Sequence, residues 1–171
     1  GAAAALELGA SPRAIATGLG LWQPAPMRLE ISTTPRGILL INDAYTSDPA
    51  SMEAALLALR QHRGRGTTVA VLGGMAQLGR LRQAAHQRVG RRVRELGIGR
   101  LIGVGEGGAE IAAAALVAGT APERVHAVSE PAEAALILEE TCRSGDRVLL
   151  KASRPERLER LAALLFDSLA S

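Results

Sequence analysis

The sequence predicts an α/β fold, in which a doubly wound, mainly parallel, Rossmann-like sheet is flanked by helices. Two observations support this prediction. Short apolar segments recur between residues 37 and 153, and each is followed by a stretch with helical periodicity. Apolar residues make up 47% of the 171 residues, yet Trp, Tyr and Phe occur only once each. The core must therefore consist of Leu, Val, Ile and Ala, which suits helices layered on a sheet.

The first part of the chain predicts two helices and an edge strand. Residues 2–8 form a short helical run that stops at Gly9. Ser11 and Pro12 then start a second helix, with Ser as N-cap and Pro at the first helical position. The Pro-rich segment "LWQPAPM" is the best candidate for a domain boundary. Residues 27–33 alternate between apolar and polar and predict an edge strand.

The remainder of the chain alternates between predicted strands and helices, and successive crossovers should be right-handed. The predicted strands are 37–42, 67–74, 100–105, 124–129 and 146–153, and the predicted helices are 50–62, 81–96, 109–117, 131–142 and 155–169.

Polar residues cluster where three of these strands end. Ligands of doubly wound folds bind outside the carboxyl ends of the strands. The segments 42–48, 73–79 and 151–154 all fall at such ends. Their shared position is the first indication of a binding site.

The stretch "INDAYTSDP" combines a helix start with a candidate nucleotide contact. Asp48 precedes Pro49 and can simply cap the following helix. Capping does not explain Asn42 and Asp43, which follow directly after a buried strand. A carboxylate in that position can accept both hydroxyls of a ribose.

The stretch "KASR" predicts an anion-binding corner. Lys151 is the only lysine of the chain, and it ends a strand just before Ser153 and Arg154. A helix N-terminus offers free backbone N–H groups, Lys offers a point charge for phosphate, and Arg can grip a carboxylate with two hydrogen bonds. The alternative is that Ser153 only caps the helix and both cations are solvated.

A second interpretation is a nicotinamide-dinucleotide-binding module. Gly103, Gly105 and Gly108 form a G-x-G-x-x-G pattern, and Glu130 follows at the end of the next strand. Two features weigh against it: the pattern normally marks the first strand–helix unit, and glycine is abundant here, with 19 residues.

Charge and cysteine content bound the remaining possibilities. The net charge is +3, and six arginines lie opposite the apolar stripe of one predicted helix. A solvated face is favoured there over a nucleic-acid surface. The arginines are Arg80, Arg82, Arg88, Arg91, Arg92 and Arg94.

A single cysteine suits a reducing compartment, and no apolar run approaches about eighteen residues, so we expect a cytoplasmic chain without membrane contact. No Cys/His set has the spacing of metal ligands.

Three longer segments together resemble the C-terminal domain of the Mur ligases. They are "RLE…GILLINDAYTSDPASMEAALLAL", "VAVLGGMAQLG…AAHQRVG" and "GDRVLLKASRPERLERL". The resemblance is greatest to the branch of the family that adds D-alanyl-D-alanine. It implies that residues 1–26 are the tail of a central ATP-binding domain with its connector, and that residues 27–171 are the C-terminal domain.

The resemblance implies an ATP-dependent ligase of peptidoglycan precursor synthesis. ATP would phosphorylate the terminal carboxylate of a UDP-MurNAc-peptide, and the amino group of D-Ala-D-Ala would attack the acyl phosphate. ATP and Mg²⁺ would be held mainly by the central domain. We therefore expect this chain to act only together with the rest of its own ligase chain, and to be inactive alone.

The same resemblance assigns site residues, none of them certainly catalytic. Arg28 would reach the ATP phosphates and Asp43 the ribose hydroxyls. His86 matches a histidine common in the family and receives no role. Asn42 and Tyr45 would shape the ATP-binding loop, and the dipeptide or acyl phosphate would contact Ser47, Asp48, Lys151, Ser153 and Arg154.

Four departures from the family pattern open two further hypotheses. "YTSDP", "GGM", "QLG" and "KASR" stand where "YNANP", "GDM", "ELG" and "KGSR" are usual, so Gly74 replaces an acid and Ala152 a glycine. Either the ligase site has decayed and the domain is non-catalytic, or the changed residues mark a subtype that is fused to an alanine racemase. In that fusion a pyridoxal-phosphate domain would follow Ser171.

Overall fold

The computed structural model describes residues 2–21, 25–62 and 64–167, with side chains through residue 165. The two predicted N-terminal helices are present as α1 (Ala2–Glu7) and α2 (Pro12–Leu21). Ser11 Oγ accepts the backbone N–H of Ala14 at 3.2 Å, as an N-cap side chain should. Residues 22–24 of the Pro-rich segment lie outside the described residues.

The described residues form a six-stranded sheet with the order β1-β2-β6-β3-β4-β5. β1 is antiparallel to β2, and all other pairs are parallel, so the mainly parallel sheet is confirmed. The last strand, β6, lies between β2 and β3. The strands are β1 (Glu30–Thr33), β2 (Leu39–Asn42), β3 (Thr68–Leu72), β4 (Arg100–Val104), β5 (Val125–Val128) and β6 (Arg147–Lys151).

Helices cover both faces of the sheet because its central strands are apolar on both sides. Along β3, Val69 and Val71 belong to one buried cluster, whereas Ala70 and Leu72 belong to the other. The first cluster is closed by α6 and α7, and the second by α3, α4 and α5. These helices are α3 (Pro49–Gln61), α4 (Arg82–Glu95), α5 (Gly105–Val117), α6 (Pro131–Thr141) and α7 (Glu159–Asp167).

Two predicted boundaries near the site are wrong for reasons of backbone conformation. The edge strand starts at Glu30 and not at residue 27, because Met27 and Leu29 have φ of 59° and 52°, outside the extended range. The last helix starts at Glu159 and not at residue 155. Residues 154–156 form a 3₁₀ turn, and the left-handed conformation of Arg157, with φ 51°, changes the direction of the chain before the helix begins.

A third correction concerns the glycine motif. We predicted that the helix after β4 begins at residue 109, but α5 begins at Gly105, inside "GVGEGG". Gly105 has φ +69°, which favours glycine at the strand-to-helix turn. The motif is thus the helix start itself and not a loop before it.

Candidate functional site

The three polar segments meet at one edge of the sheet, as predicted from the parallel order. Backbone hydrogen bonds continue past the strand ends: Asp43 N–H donates to Leu150 O at 2.9 Å, and Gly73 N–H donates to Lys151 O at 3.0 Å. One step further, Ser153 N–H donates to Gly74 O at 3.0 Å. The loops after β2, β6 and β3 therefore form one continuous surface.

The side chain of Lys151 lies buried beneath this surface. It is 1% exposed, and Nζ lies 2.7 Å from Asp43 Oδ2. Nζ also donates to Thr46 O at 2.8 Å and to Asp43 O at 3.4 Å. An ammonium group has three protons, and these acceptors use all of them. In this arrangement the lysine holds the loop after β2, and the phosphate contact predicted for Lys151 stays a prediction.

Asp43 is positioned from two sides and keeps accepting capacity. Oδ2 pairs with Lys151, and Oδ1 accepts the N–H of Leu29 at 3.1 Å. The side chain is 16% exposed. Since an ionised carboxylate has about four lone-pair sites, it can still accept hydroxyl donors. The contact with Leu29 also fixes the chain next to Arg28.

Two buried oxygens of the loop have no hydrogen-bond partner among the described residues. They are Asn42 Oδ1 and Ser47 Oγ, and both residues are 7% exposed. The amide nitrogen of Asn42 approaches Glu30 Oε2 at 3.5 Å. Buried polar atoms are paired in the large majority of cases, so these two oxygens leave accepting capacity that no described residue uses.

Tyr45 brings together two arginines that the sequence assigned to different ligands. The Arg28 guanidinium carbon lies 4.2 Å from the centroid of the Tyr45 ring, and that of Arg154 lies 5.4 Å from it. Both distances are within the range of cation–π contacts. The two exposed cations therefore form one positive patch around Tyr45.

Asp48 serves as the N-cap of α3, which confirms the capping interpretation. Its Oδ1 accepts the N–H groups of Ala50 at 2.9 Å and Ser51 at 3.0 Å. Ser51 Oγ in turn accepts the Asp48 N–H at 3.0 Å, completing a capping box. The hydrogen bond from the Ser51 backbone is the main cause that lowers the pKa of Asp48. The substrate contact predicted for Asp48 stays a prediction.

Three consecutive amides of the loop after β3 are each bound by a different side chain. Gly74 N–H donates to Glu156 Oε1 at 3.3 Å, and Met75 N–H donates to His86 Nε2 at 3.1 Å. Ala76 N–H donates to Ser153 Oγ at 2.8 Å. Ser153 Oγ also donates to Ser47 O at 3.3 Å, so its single proton is used within the chain. It makes no side-chain cap of the following turn.

His86 acquires a clear place in this network. It is 1% exposed, and because Nε2 accepts a backbone N–H, the ring proton must sit on Nδ1 and point to Glu110 Oε2 at 2.5 Å. That hydrogen bond is the main cause that lowers the pKa of Glu110. Arg82 joins the cluster at 3.1 Å from Glu110 Oε1. In the sequence, His86 was marked by its match to a histidine common in the family and received no role.

A cavity of about 480 Å³ lies beside this network. The loop after β3 and the corner after β6 form its walls, together with the start of α5. Of its charged and polar lining, the sequence placed Gln77 in the candidate segment 73–79 and Arg82 on a solvated face. It gave no role to Glu106 and Glu156, because no recognisable site motif marks them.

The contacts of the glycine motif weigh against the nicotinamide-dinucleotide interpretation. A Cβ at Gly103 would meet the backbone of Gly108, so these two glycines allow β4 and α5 to pack closely. The start of α5 at Gly105 already faces the Glu156 carboxylate, which disfavours a pyrophosphate there. Glu130, the expected ribose acid, lies at the N-cap of α6, where its N–H donates to Glu133 at 3.1 Å.

The arginines of α4 support the solvated-face interpretation. Arg88 lies 3.0 Å from Glu53, and Arg92 lies 3.3 Å from Glu53 and 3.1 Å from Glu95. Among residues 2–21, 25–62 and 64–167, no group of three or more His, Cys, Asp or Glu side chains could hold a metal ion. No helix in that same part of the chain is long and apolar enough to cross a membrane.

Residues 27–154 match the sequence model of the family described as Mur ligase, glutamate ligase domain. The chain belongs to the Mur ligase family. This Mur ligase domain is 35% identical over 166 residues to the UDP-N-acetylmuramoyl-tripeptide–D-alanyl-D-alanine ligase of Bacillus subtilis (strain 168), covering 97% of this chain and 36% of that ligase. It thus spans about a third of the length of the curated relatives that it matches over most of its own length.

Solved structures agree with this membership. MurF from Acinetobacter baumannii superimposes with a TM-score of 0.78 at 31% identity, covering 95% of this chain and 35% of that one. MurF ligase from Thermotoga maritima, solved in complex with ADP, shares the fold with a TM-score of 0.80 at 24% identity, over 98% and 36% of the two chains. The predicted Mur ligase fold is confirmed.

Proposed function

We propose that this Mur ligase domain is the C-terminal part of a MurF-type enzyme that joins D-Ala-D-Ala to a UDP-MurNAc-peptide. The reaction would consume ATP through an acyl phosphate, in the synthesis of peptidoglycan precursors. The observation that carries the proposal is the joining of the loops after β2, β6 and β3 into one surface, with a cavity between the loops after β3 and β6, in a chain 35% identical to a ligase of that name.

The loop after β2 supplies the nucleotide side of the proposed site. Asp43 has lone pairs left for the two ribose hydroxyls, and Asn42 offers an unpaired side-chain oxygen to a donor. Arg28, stacked on Tyr45, would reach the ATP phosphates. Most of the ATP and the Mg²⁺ would be held by the rest of the ligase. We place this chemistry in the cytoplasm.

The cavity beside the loop after β3 supplies the dipeptide side. A zwitterionic dipeptide needs a cation near its carboxylate and acceptors near its ammonium. Arg82 and Glu106 line the cavity and offer both charges, while Arg154 lies at the patch around Tyr45. Ser47 offers an unpaired hydroxyl. Lys151 and Ser153, whose protons are used internally, would contribute by holding the loops that carry these groups.

Titration of the ¹⁵N-labelled chain with ATP and, separately, with D-Ala-D-Ala tests the proposal. We expect at best millimolar binding, because a domain that forms half of a site leaves each ligand open on one side. ATP should shift the amide signals of residues 42–48, and the dipeptide those of residues 74–79. Asp43→Asn should weaken ATP binding and leave dipeptide binding intact.

The alternatives give different results in the same experiment. Binding of NADH that shifts Gly105 and Glu130 more strongly than ATP shifts residue 43 would replace the ligase proposal by the dinucleotide module. Binding of neither ATP nor dipeptide at millimolar concentration would favour a non-catalytic domain. The racemase fusion stays a prediction from the sequence alone.

A further inference from the structure

Glu156 fills a gap between two glycine-rich turns. It ends the 3₁₀ turn after β6 and is half-buried, with Oε1 accepting the N–H of Gly74. A Cβ at Gly73 would lie 2.9 Å from Glu156 Cγ, and a Cβ at Gly74 would lie 2.8 Å from Oε1. At Gly105, a Cβ would meet Oε2 of the same carboxylate. Real Cβ atoms essentially never approach other atoms closer than 3.0 Å.

One side chain therefore lies against three glycines in two separate turns. Two further constraints act at these glycines: a Cβ at Gly73 would also meet the Ala152 Cβ at 2.7 Å, and Gly105 has φ +69°. Gly73 and Gly74 belong to the turn after β3, and Gly105 to the turn after β4. Because these turns carry no side chains toward each other, the Glu156 carboxylate fits between them.

The carboxylate also lies in a favourable field. Gly105 is the first residue of α5, a helix of 13 residues, and a negative charge near a helix N-terminus is stabilised. Glu156 thus contacts both the loop after β3 and the start of α5, which also meet directly where Gly107 packs against Gly74. These are two walls of the 480 Å³ cavity, which Glu156 itself lines.

We propose that Glu156 is a positioning residue of the dipeptide cavity. Its carboxylate occupies the space that an acidic side chain at position 74 would take, and it fixes the distance between the loop after β3 and the start of α5. The acid that the Mur ligase pattern expects at residue 74 is supplied here from the corner after β6. The part of this inference that concerns dipeptide binding rests on the proposed function, whereas the space shared by residues 74 and 156 does not.

The first test is a stability cycle on the chain with Glu156→Ala, Gly74→Asp and the double variant. Glu156→Ala should lower Tm by about 2–4 °C, the shift expected for the loss of one hydrogen bond in a domain of this size. Gly74→Asp should lower Tm similarly, because two carboxylates then share one space. In the double variant the introduced carboxylate takes the vacated space, so Tm should match or exceed that of Glu156→Ala.

The control for this cycle is Glu123→Ala, which removes an exposed carboxylate at the opposite end of the sheet and should leave Tm unchanged. Additive losses in the double variant would show that residues 74 and 156 do not share a space, and would overturn the inference. If Gly74→Asp alone fails to fold while the double variant folds, the inference is supported.

The second test measures D-Ala-D-Ala binding to the same variants by amide shifts. Glu156→Ala should raise the dissociation constant about fivefold, and Gly74→Asp in the same chain should restore it, whereas ATP binding stays constant. Restored Tm without restored dipeptide binding would reduce Glu156 to a structural contact and overturn the positioning role. If no variant, nor the native chain, binds dipeptide while the Tm cycle is non-additive, the proposed function fails and the shared space at residues 74 and 156 stands.

Discussion

Lys151 illustrates how much a single residue of the site could be predicted. Its place at the end of a central strand follows from the sequence, because parallel strands gather their carboxyl ends at one edge. The direction of its side chain does not. That direction depends on Thr46 O and Asp43 lying within reach, and a tertiary arrangement, not a local pattern, creates these acceptors.

We expect Lys151→Met to lower the free energy of unfolding by about 3 kcal/mol, because it leaves the half-buried Asp43 carboxylate without its cation. Arg154→Met is the matched control, since it removes an exposed cation and should change stability by less than about 0.5 kcal/mol. Urea unfolding of both variants gives the comparison. Equal stability of the two would show that Lys151 is not the support of this loop.

Asp48 allows a pH test at the residue scale. Its pKa in the folded chain lies below the ordinary value of 3.8, so its capping contribution is present above that value and is lost as the pH falls through the lower, folded pKa. Asp48→Ala should cost about 1 kcal/mol near pH 7, and this difference should shrink below about pH 4. Asp48→Asn, which caps without a titrating charge, should stay close to the native chain at pH 7. A pH-independent difference between Asp48→Ala and the native chain would contradict this account.

At the scale of elements, the type and order of the strands and helices were predictable, and their ends near the site were not. Apolar runs and amphipathic periodicity determine β2–β6 and α3–α6. The first residues of β1 and α7 depend on Met27, Leu29 and Arg157 adopting positive φ, which non-glycine residues seldom do. Such conformations are imposed by surrounding contacts, for example Tyr45 N–H donating to Met27 O at 3.2 Å.

The crossing of α4 and α5 gives a prediction for a pair of elements. A Cβ at Gly90 would lie 2.5 Å from Ile111 O and 2.6 Å from Ala114 Cβ. Helix propensity favours Ala over Gly by about 1 kcal/mol, but backbone contact opposes it. We expect Gly90→Ala to destabilise the chain by about 1–3 kcal/mol, since both helices must separate.

Gln87→Ala, on an exposed position of the same helix, is the control for Gly90→Ala and should be neutral or slightly stabilising. Thermal unfolding of the two variants decides between propensity and packing. A rise in Tm for Gly90→Ala would mean that the two helices are not in close contact at this position.

At the scale of the whole molecule, we predict that the isolated chain shows neither ATP hydrolysis nor ligation. The sequence contains no GK[ST] phosphate loop, and the described residues hold no metal-ligand group. Phosphate release and dipeptide incorporation by the purified chain are the measurements. Turnover that survives further purification would contradict the proposal that other parts of the ligase supply the nucleotide chemistry.

The central place of β6 has a consequence for how the protein is made. In the sheet only β6 joins β1 and β2 to β3, β4 and β5, so these two groups of strands have no strand between them before residues 147–151 emerge from the ribosome. The chain must therefore wait for its last strand before the sheet can close, which is the long-range pairing that slows folding. Until that moment Asp43 has no Lys151, and the two halves of the binding surface cannot meet. Synthesis of the C-terminal segment is thus the step that assembles the site.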